Sequence, residues 1–583
     1  MEYRIHQDGS FDFRTGDIRL SGGYPAVDGK SVRPIRLSVT EDSAEYVLEK
    51  GTIRLQVLRE ADTLVIRAET EGFEDAHDIS PLAFLTIEGC DRAFYQGFGL
   101  GDPTGFRDVS EETGIDSYVL TAFGNDTACA ALCVRDQTKY QSRYLLHSGM
   151  ADIVFDTEKT LSGTTRLPDV YLTYGATFDE VLRGCARSVA ETMRARTPKR
   201  SAFHWCSWYY LYHTLDQDTL EEYLAEFTKY RDIAPFSHIQ IDAGYFDSCG
   251  DWLDPYYRFP KGLKYAADTI RAAGYEPGIW IGPFMVGEES RVYREHPDWV
   301  LRDLENRPMS VWHQYNEPKV WGYRDSEYYV LDTSHPDAMA YIVGVFKTLR
   351  EWGYTLFKTD FMKWGMQDSS KVIRHTPGKT SFEYFREFLE NVRAAIGDSA
   401  WLGCIAPFAP FIGYADMMRI GGDVGAQWED SGFGPSNMIM EITGCQYFNN
   451  VYWQNDPDAV LLRDFHISLT DDQVEALALL QSVSGGVITT SDPVHLLGDK
   501  RKDLLRRIVP EGVADARFPY WQEKRDEIVI VNGEKVYIMN PTPHTIAVSL
   551  DWKTLVGYDT DLPNVIALKG KSGKLFEVKR RTV

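Results

Sequence analysis

The sequence predicts an α/β protein: a (β/α)8 TIM barrel flanked by an N-terminal β-sandwich and a small C-terminal antiparallel β domain. Three observations lead there. Residues 1 to about 180 are strand-like almost throughout, the middle of the chain alternates apolar strands with amphipathic helices, and residues 516–583 return to short strands. At 583 residues the chain is too long for one hydrophobic core. The expected division is 1–180 for the sandwich, 181–510 for the barrel and 511–583 for the last β domain.

The N-terminal runs SAEYVLEK, TIRLQVLR, TLVIRAET, DIVFDT and DVYLTYG are broken by Gly, Asp and Asn, with little helical periodicity, as in an antiparallel sandwich. The middle opens with FHWCSWYY, followed by the helical DTLEEYLAEFTKYRD. HIQIDAGYF precedes KYAADTIRAAG, PGIWIGPF precedes HPDAMAYIVGVFKTLREWG, and YTLFKTDF precedes SFEYFREFLENVRAAIG. AWLGCIAPF, MMRIGGD with a helix near SNMIMEITGC, FNNVYWQND with DDQVEALALLQSVSG, and GGVITTSD complete eight apolar strands. Alternation of this kind implies a parallel sheet with right-handed crossovers, and eight such units close into a barrel. An open doubly wound sheet would want a Gly-rich phosphate loop after its first strand, and WCSWYY is not one. DEIVIVNG, EKVYIMN, HTIAVSLDW and KLFEVKR supply the last β domain.

Composition narrows the function. Hydrophobic content of 43% and charged content of 25% are those of a globular protein. A net charge of −24 argues against nucleic acid as a partner, since phosphate-backbone binding needs a basic surface. The opening MEYRIHQDGSFDFRTG has neither the basic nor the apolar region of a signal peptide, and no apolar run reaches the roughly 20 residues of a membrane span. The eight cysteines form no CxxC pair and no metal-ligand spacing. Reduced, buried thiols in a cytoplasmic protein without metal or cofactor follow from that pattern.

Polar residues inside strands locate the chemistry. In 354-YTLFKTDF-361, alternation puts Lys358 and Asp360 on one face and Phe357, Thr359 and Phe361 on the other. A barrel gives that face a purpose, because its C-terminal strand ends are where lumen meets water. Asp242 ends the second strand. Trp205 and Tyr209 lie in the first, Trp280 in the third and Cys404 in the fifth. Arg419 and Asp423 share parity in the sixth, around Gly421 and Gly422. Trp453, Asn455 and Asp456 finish the seventh. A lone aspartate at a strand end is more often a helix cap than a catalyst, and a barrel aromatic is more often core. Convergence of three carboxylates, a lysine, an arginine and several tryptophans at one rim favours a site. Paired carboxylates, cations and flat rings suit glycoside chemistry. A cation beside Asp360 keeps a nucleophile ionised, and Asp423 needs a raised pKa to act as an acid.

The tracts HWCSWYY, QID, GDW, PGIWIGPF, HPDWV, FKTDF, MRIGGDVGAQW and WQNDPD resemble, in order, those of the retaining α-galactosidases of glycoside hydrolase family 36. The resemblance runs through the whole barrel. It implies Asp360 as nucleophile in Lys358-Thr359-Asp360, and Asp423 as acid/base in the segment from Arg419 to Trp428. It also implies that Asp242, Lys358, Cys404 and Arg419 bind sugar hydroxyls and that Trp205 and Trp280 form pocket walls. Tyr209, Gly422 and Trp453 complete the substrate-binding set at the rim.

The implied activity is that of an exo-acting α-glycosidase working by double displacement on terminal α-galactosides, with a glycoside or oligosaccharide as partner. Two alternatives stay open: an altered glycone (β-L-arabinopyranoside, α-N-acetylgalactosaminide or α-glucoside) and a glycosyl-transferring relative. A non-catalytic carbohydrate-binding protein is disfavoured by the retained Lys358, Asp360, Arg419 and Asp423. Homo-oligomers are common among the relatives, which leaves one open here. Two departures mark this chain. The family's second strand usually ends in two adjacent aspartates, whereas here Ala243 follows Asp242. The aromatic tract that relatives send to the barrel mouth, here residues 94–103, has Phe98 and no tryptophan.

Overall fold

The computed structural model describes residues 1–196, 202–315, 324–429, 434–513, 515–523 and 525–579. At its centre are eight parallel strands: Phe203–Cys206, His238–Ile241, Glu276–Ile281, Leu356–Thr359, Ala400–Gly403, Met417–Arg419, Gln454–Asp456 and Ile488–Thr490. The first seven pair in sequence order, and the eighth pairs with the first. The remaining seam, between seventh and eighth strands, is closed by single contacts. Val487 N–H donates to Asn455 O and Val460 N–H to Thr489 O, both at 2.8 Å, and Ala459 bridges Thr489. The strands form a (β/α)8 barrel, as the alternating texture predicts.

The helices begin where side chains can take up orphan backbone donors. Thr380 with Glu383, and Thr470 with Gln473, form capping boxes at Ser381–Ile396 and Asp471–Ser484. Asp216 caps Gln217–Lys229 through Thr219 N–H. Helices cover the outer strand faces. Phe357 meets Phe346 of Pro336–Glu351, and Trp205 packs on Tyr223 and Phe227 of Gln217–Lys229. Below the polar layer, Leu356, Leu402, Met417 and Val487 plug the lumen. Only the four-residue Phe408–Phe411 stands where a fifth crossover helix is expected.

Before the barrel come two antiparallel sheets of eight and ten strands. They enclose a core that includes Phe11, Tyr46, Ile66, Leu82, Leu132 and Phe155. The helix Phe178–Met193, capped by Thr177, joins them to the barrel. Sequence texture did not single it out, although Phe178, Val181, Leu182, Cys185, Ala186 and Val189 bury one face at helical spacing. After the barrel, a three-stranded sheet docks on Asp471–Ser484, where Tyr537 donates to Ala476 O at 2.6 Å and Asn532 to Val483 O at 3.0 Å, and a two-stranded sheet packs on its far face through Val548, Ile566 and Leu568. Among the described residues no helix is long and apolar enough to cross a membrane.

The N-terminal tract reaches the C-terminal mouth of the barrel. Phe98 O accepts from Phe408 N–H at 2.8 Å, Gly99 bridges Pro407, and Lys363 Nζ donates to Leu100 O (2.7 Å) and Asp102 (2.6 Å).

Asp492 reinforces the weak seam. Asp492, fully buried after the eighth strand, accepts from Leu462 and Arg463 N–H and pairs with the Arg463 guanidinium at 2.7 Å. Truncation to Asp492→Ala leaves a buried guanidinium and two backbone donors unmatched. The barrel is expected to lose about 3–5 kcal/mol, read as an earlier urea midpoint with the sandwich signal in place.

Candidate active site

Lys358 belongs to the fourth strand and Asp242 follows the second, yet Nζ reaches Oδ2 at 3.0 Å. With the third strand between them, the pair meets across the lumen. The same Oδ2 accepts from Gln240 (2.7 Å) and the Cys206 thiol (3.3 Å), while Oδ1 accepts from Ala243 N–H at 2.9 Å. Ser207 Oγ accepts the Asp242 N–H. Burial disfavours the Lys358 ammonium, but Asp242, joined by Cys206, Cys404 and Asp360, outweighs it and holds the amine charged.

Asp360 stands one residue beyond the fourth strand. Its Oδ2 accepts from Trp280 Nε1 at 3.1 Å and its Oδ1 from Phe361 N–H at 2.8 Å. Phe361 holds φ +55°, uncommon for a large side chain, with its ring packed against Trp280, Trp312 and Trp364. That aromatic packing keeps its N–H on the carboxylate. Burial raises the Asp360 carboxyl, and Lys358, Trp280 and Phe361 N–H oppose the rise.

Arg419 ends the sixth strand. Its Nη2 donates to Asp423 at 2.7 Å, to Asp458 at 2.9 Å and to Tyr209 Oη at 3.3 Å. Tyr209 donates to Asp423 at 3.0 Å. Cys404 Sγ lies 3.9 Å from Arg419 Nη1, and burial keeps it a thiol. Gly422 is buried next to Asp423. The Asp423 side chain is 53% exposed, whereas Arg419 and Asp458 are 2% and 3% exposed. Desolvation opposes its ionisation, but Arg419 prevails and holds the carboxyl below the usual range. This resting ion pair runs against the raised value expected of an acid.

The structure thus brings together Asp242, Lys358, Trp280, Asp360, Cys404, Arg419, Tyr209, Gly422 and Asp423. Two expected pocket residues are not with them. Trp205 lies between the inward His204 and Cys206, so its ring points out onto Tyr223 and Phe227. Trp453 precedes Gln454 and is buried among Phe408, Phe448 and Tyr452. Both are core. Asp456 is buried in the lumen, while Asn455 turns away and donates to Cys445 O. Asp458, two residues past the seventh strand, belongs to the cluster although strand-end reading does not reach it. The two acids that could stand in beside Ala243 are engaged elsewhere: Asp251 accepts from Arg291 and Val292 N–H, and Asp247 pairs with Arg324.

These features define a (β/α)8-barrel protein whose mouth carries a carboxylate-rich, aromatic-backed cluster of side chains. Residues 200–385 match the family model described as Melibiase. The bifunctional alpha-galactosidase/sucrose kinase AgaSK of Mediterraneibacter gnavus is 23% identical over 314 residues, which cover 51% of this chain and 30% of that protein. Alpha-galactosidase AgaA of Geobacillus stearothermophilus is 28% identical over 193 residues, 30% of this chain and 23% of the relative. The chain therefore spans less than a third of the length of either. TtGalA, an alpha-galactosidase from Thermus thermophilus, superposes with TM-score 0.65 at 22% identity, over 84% of this chain and 98% of that one. The galactosidase domain of AgaSK gives 0.61 at 14% identity, over 98% and 87%. These superpositions show the fold. The chain resembles glycoside hydrolase family 36, in both barrel and flanking β layers.

Against Gly421 packs Glu441, a buried acid of helix Pro435–Gly444. Burial pushes its carboxyl up to about 8 from an ordinary 4.5. A group raised on folding contributes fully below its unfolded value and loses that contribution as pH climbs through the folded one. Between pH 4.5 and about 8, Glu441→Gln should therefore gain stability relative to the parent. Parallel urea titrations at several pH values read this; a pH-independent difference would place an ionised Glu441 in the fold.

Proposed function

We propose that the protein is a retaining exo-α-glycosidase acting on terminal α-galactosides. The observation that carries this reading is the meeting of two differently treated carboxylates at one mouth. Asp360 is buried, held by Trp280 and Phe361 N–H and close enough to Lys358 to feel its charge; Asp423 is half exposed and held by Arg419 and Tyr209. In the first step an Asp360 oxygen attacks the anomeric carbon. The bond to the leaving oxygen breaks, and that oxygen takes the proton of Asp423. In the second step Asp423 takes a proton from water, the water oxygen bonds to the anomeric carbon, and Asp360 departs. Names of relatives and neighbours support the galactoside glycone: TtGalA is described with p-nitrophenyl alpha-D-galactopyranoside, and AgaA variants with stachyose and raffinose.

The chemistry belongs to the barrel, taken as residues 181–510, with 1–180 and 511–583 as flanking domains. Eight free cysteines, seven of them buried, suit a reducing cytoplasm. Asp360→Ala should abolish turnover of nitrophenyl α-galactoside, and azide should restore part of it with an inverted glycosyl azide as product. A fully active variant would remove Asp360 from the mechanism.

Ala243 yields a separate expectation. The resemblance gives that position to an aspartate, and Asp247 and Asp251 are committed elsewhere. A charge-assisted contact to a sugar hydroxyl contributes about 1.5–3 kcal/mol, or one to two decades in kcal-to-rate terms. Activity on simple α-galactosides should accordingly be weak, and Ala243→Asp should raise kcat/KM on melibiose-type substrates roughly tenfold. No gain would make Ala243 neutral and leave the galactoside reading intact.

A further inference from the structure

The mouth holds an acid that the two-step reaction does not use. Asp458 is 3% exposed, yet its Oδ2 lies 2.9 Å from the same Arg419 nitrogen that meets Asp423 at 2.7 Å. That oxygen also accepts Val424 N–H at 2.7 Å, which fixes the backbone one residue past Asp423. Its own N–H donates to Asp456 at 2.9 Å. The Tyr209 hydroxyl donates to Asp423 at 3.0 Å and accepts at 3.3 Å from the Arg419 nitrogen that also holds Asp458. Asp458 keeps φ +83°, outside ordinary space for a non-glycine residue. A strained acid with a reserved place on a shared guanidinium has a role beyond packing.

We propose that Asp458 is a positioning residue that forms one carboxylate pair with Asp423, the two sharing the Arg419 cation and a single proton. The inference rests on the glycosidase reading above. Below about pH 6 the half-exposed Asp423 is the ionised partner and the buried Asp458 keeps the proton. When a glycoside covers Asp423, its ionised form loses water, and the proton crosses. Asp458 O–H donates to Tyr209 Oη, and Tyr209 O–H passes its own proton to Asp423. Glycosyl transfer to Asp360 then takes that proton to the leaving oxygen. The proton released by water in the second step returns to the pair.

Every charged or titratable group facing the pair fits this division. Arg419 favours ionisation of both acids, Lys358 favours that of Asp423, and Asp456 opposes that of Asp458. Cys404 stays a neutral thiol. Burial, opposed by Arg419 and aided by Asp423 and Asp456, lifts Asp458 to about 6. The titration belongs to the pair rather than to either residue.

The test is Asp458→Asn, which keeps an acceptor for Arg419 and Val424. Potentiometric difference titration should show the parent binding one more proton than the variant across the interval centred near pH 6. Without the second anion, Arg419 holds Asp423 lower still. The basic limb of kcat/KM on an alkyl α-galactoside should move down by about two units or more, a loss of roughly a hundredfold at pH 7. Nitrophenyl α-galactoside, whose leaving group needs little acid, should change within about twofold. Equal titrations, or equal losses on both substrates, overturn the proposal. Should Asp458→Asn fail to fold, Tyr209→Phe decides, because it breaks the bridge and leaves both acids: selective loss on the alkyl substrate supports the relay and uniform loss refutes it. If the parent cleaves no α-galactoside, the function reading fails and the titration alone still judges the pair.

Discussion

Five aspartates meet two cations in the barrel lumen, and this imbalance governs the site. Asp242, Asp360, Asp423, Asp456 and Asp458 gather around Lys358 and Arg419. With every group ionised, three negative charges would stay uncompensated where water is largely excluded, which a protein avoids by retaining protons. The lumen does so selectively. Asp360, Asp456 and Asp458 are pushed up by burial, whereas Asp423, half in solvent and tied to Arg419, is pushed down. Each cation spans two places: Lys358 ties the fourth strand to the second, and Arg419 ties the sixth to the loop beyond the seventh. Cation placement therefore sets which acids carry charge, and so which chemistry each can perform.

The eight strands were legible in the sequence because each is a short apolar run stopped by polar or turn residues. Alternation within YTLFKTDF was enough to turn Lys358 and Asp360 inward together. The same rule corrects the two misplaced tryptophans. Trp205 stands between the inward His204 and Cys206, and Trp453 just before the inward Gln454, so parity sends both rings outward. The family resemblance implies a pocket wall at Trp205 and the rim position a substrate contact at Trp453, and the period-two pattern overrides both. Asp458 was not legible. It follows Asp456-Pro457 in what reads as a turn, and its partnership depends on a positive φ and on the approach of Arg419 from another strand. The helix Phe178–Met193 announces itself through Thr177 and a regular apolar face, but the strand-rich texture around it masked the signal.

Three of the strand ends at the mouth carry backbone strain. Phe361 after the fourth strand, Ile405 after the fifth and Asp458 after the seventh are non-glycine residues at positive φ. Such conformations cost of the order of 1–3 kcal/mol each and persist only where surrounding structure over-determines them. Here aromatic packing fixes Phe361, and Arg419 with Val424 N–H fixes Asp458. The rigid barrel below, plugged by its aliphatic layer and sealed at Asp492, supplies the support.

The clasp between the N-terminal tract and the barrel loops also bears on how the chain is made. Phe98 and Leu100 offer carbonyls, and Asp102 a carboxylate, to Phe408 and Lys363, residues that leave the ribosome some 300 positions later. Domains fold as units, earliest-synthesised first. The sandwich is therefore finished before its partners exist, and its projecting tract waits as a template. The loops after the fourth and fifth strands do not have to find their shape against one another alone. They emerge beside a ready surface, so the geometry around Asp360 is inherited in part from the domain made first.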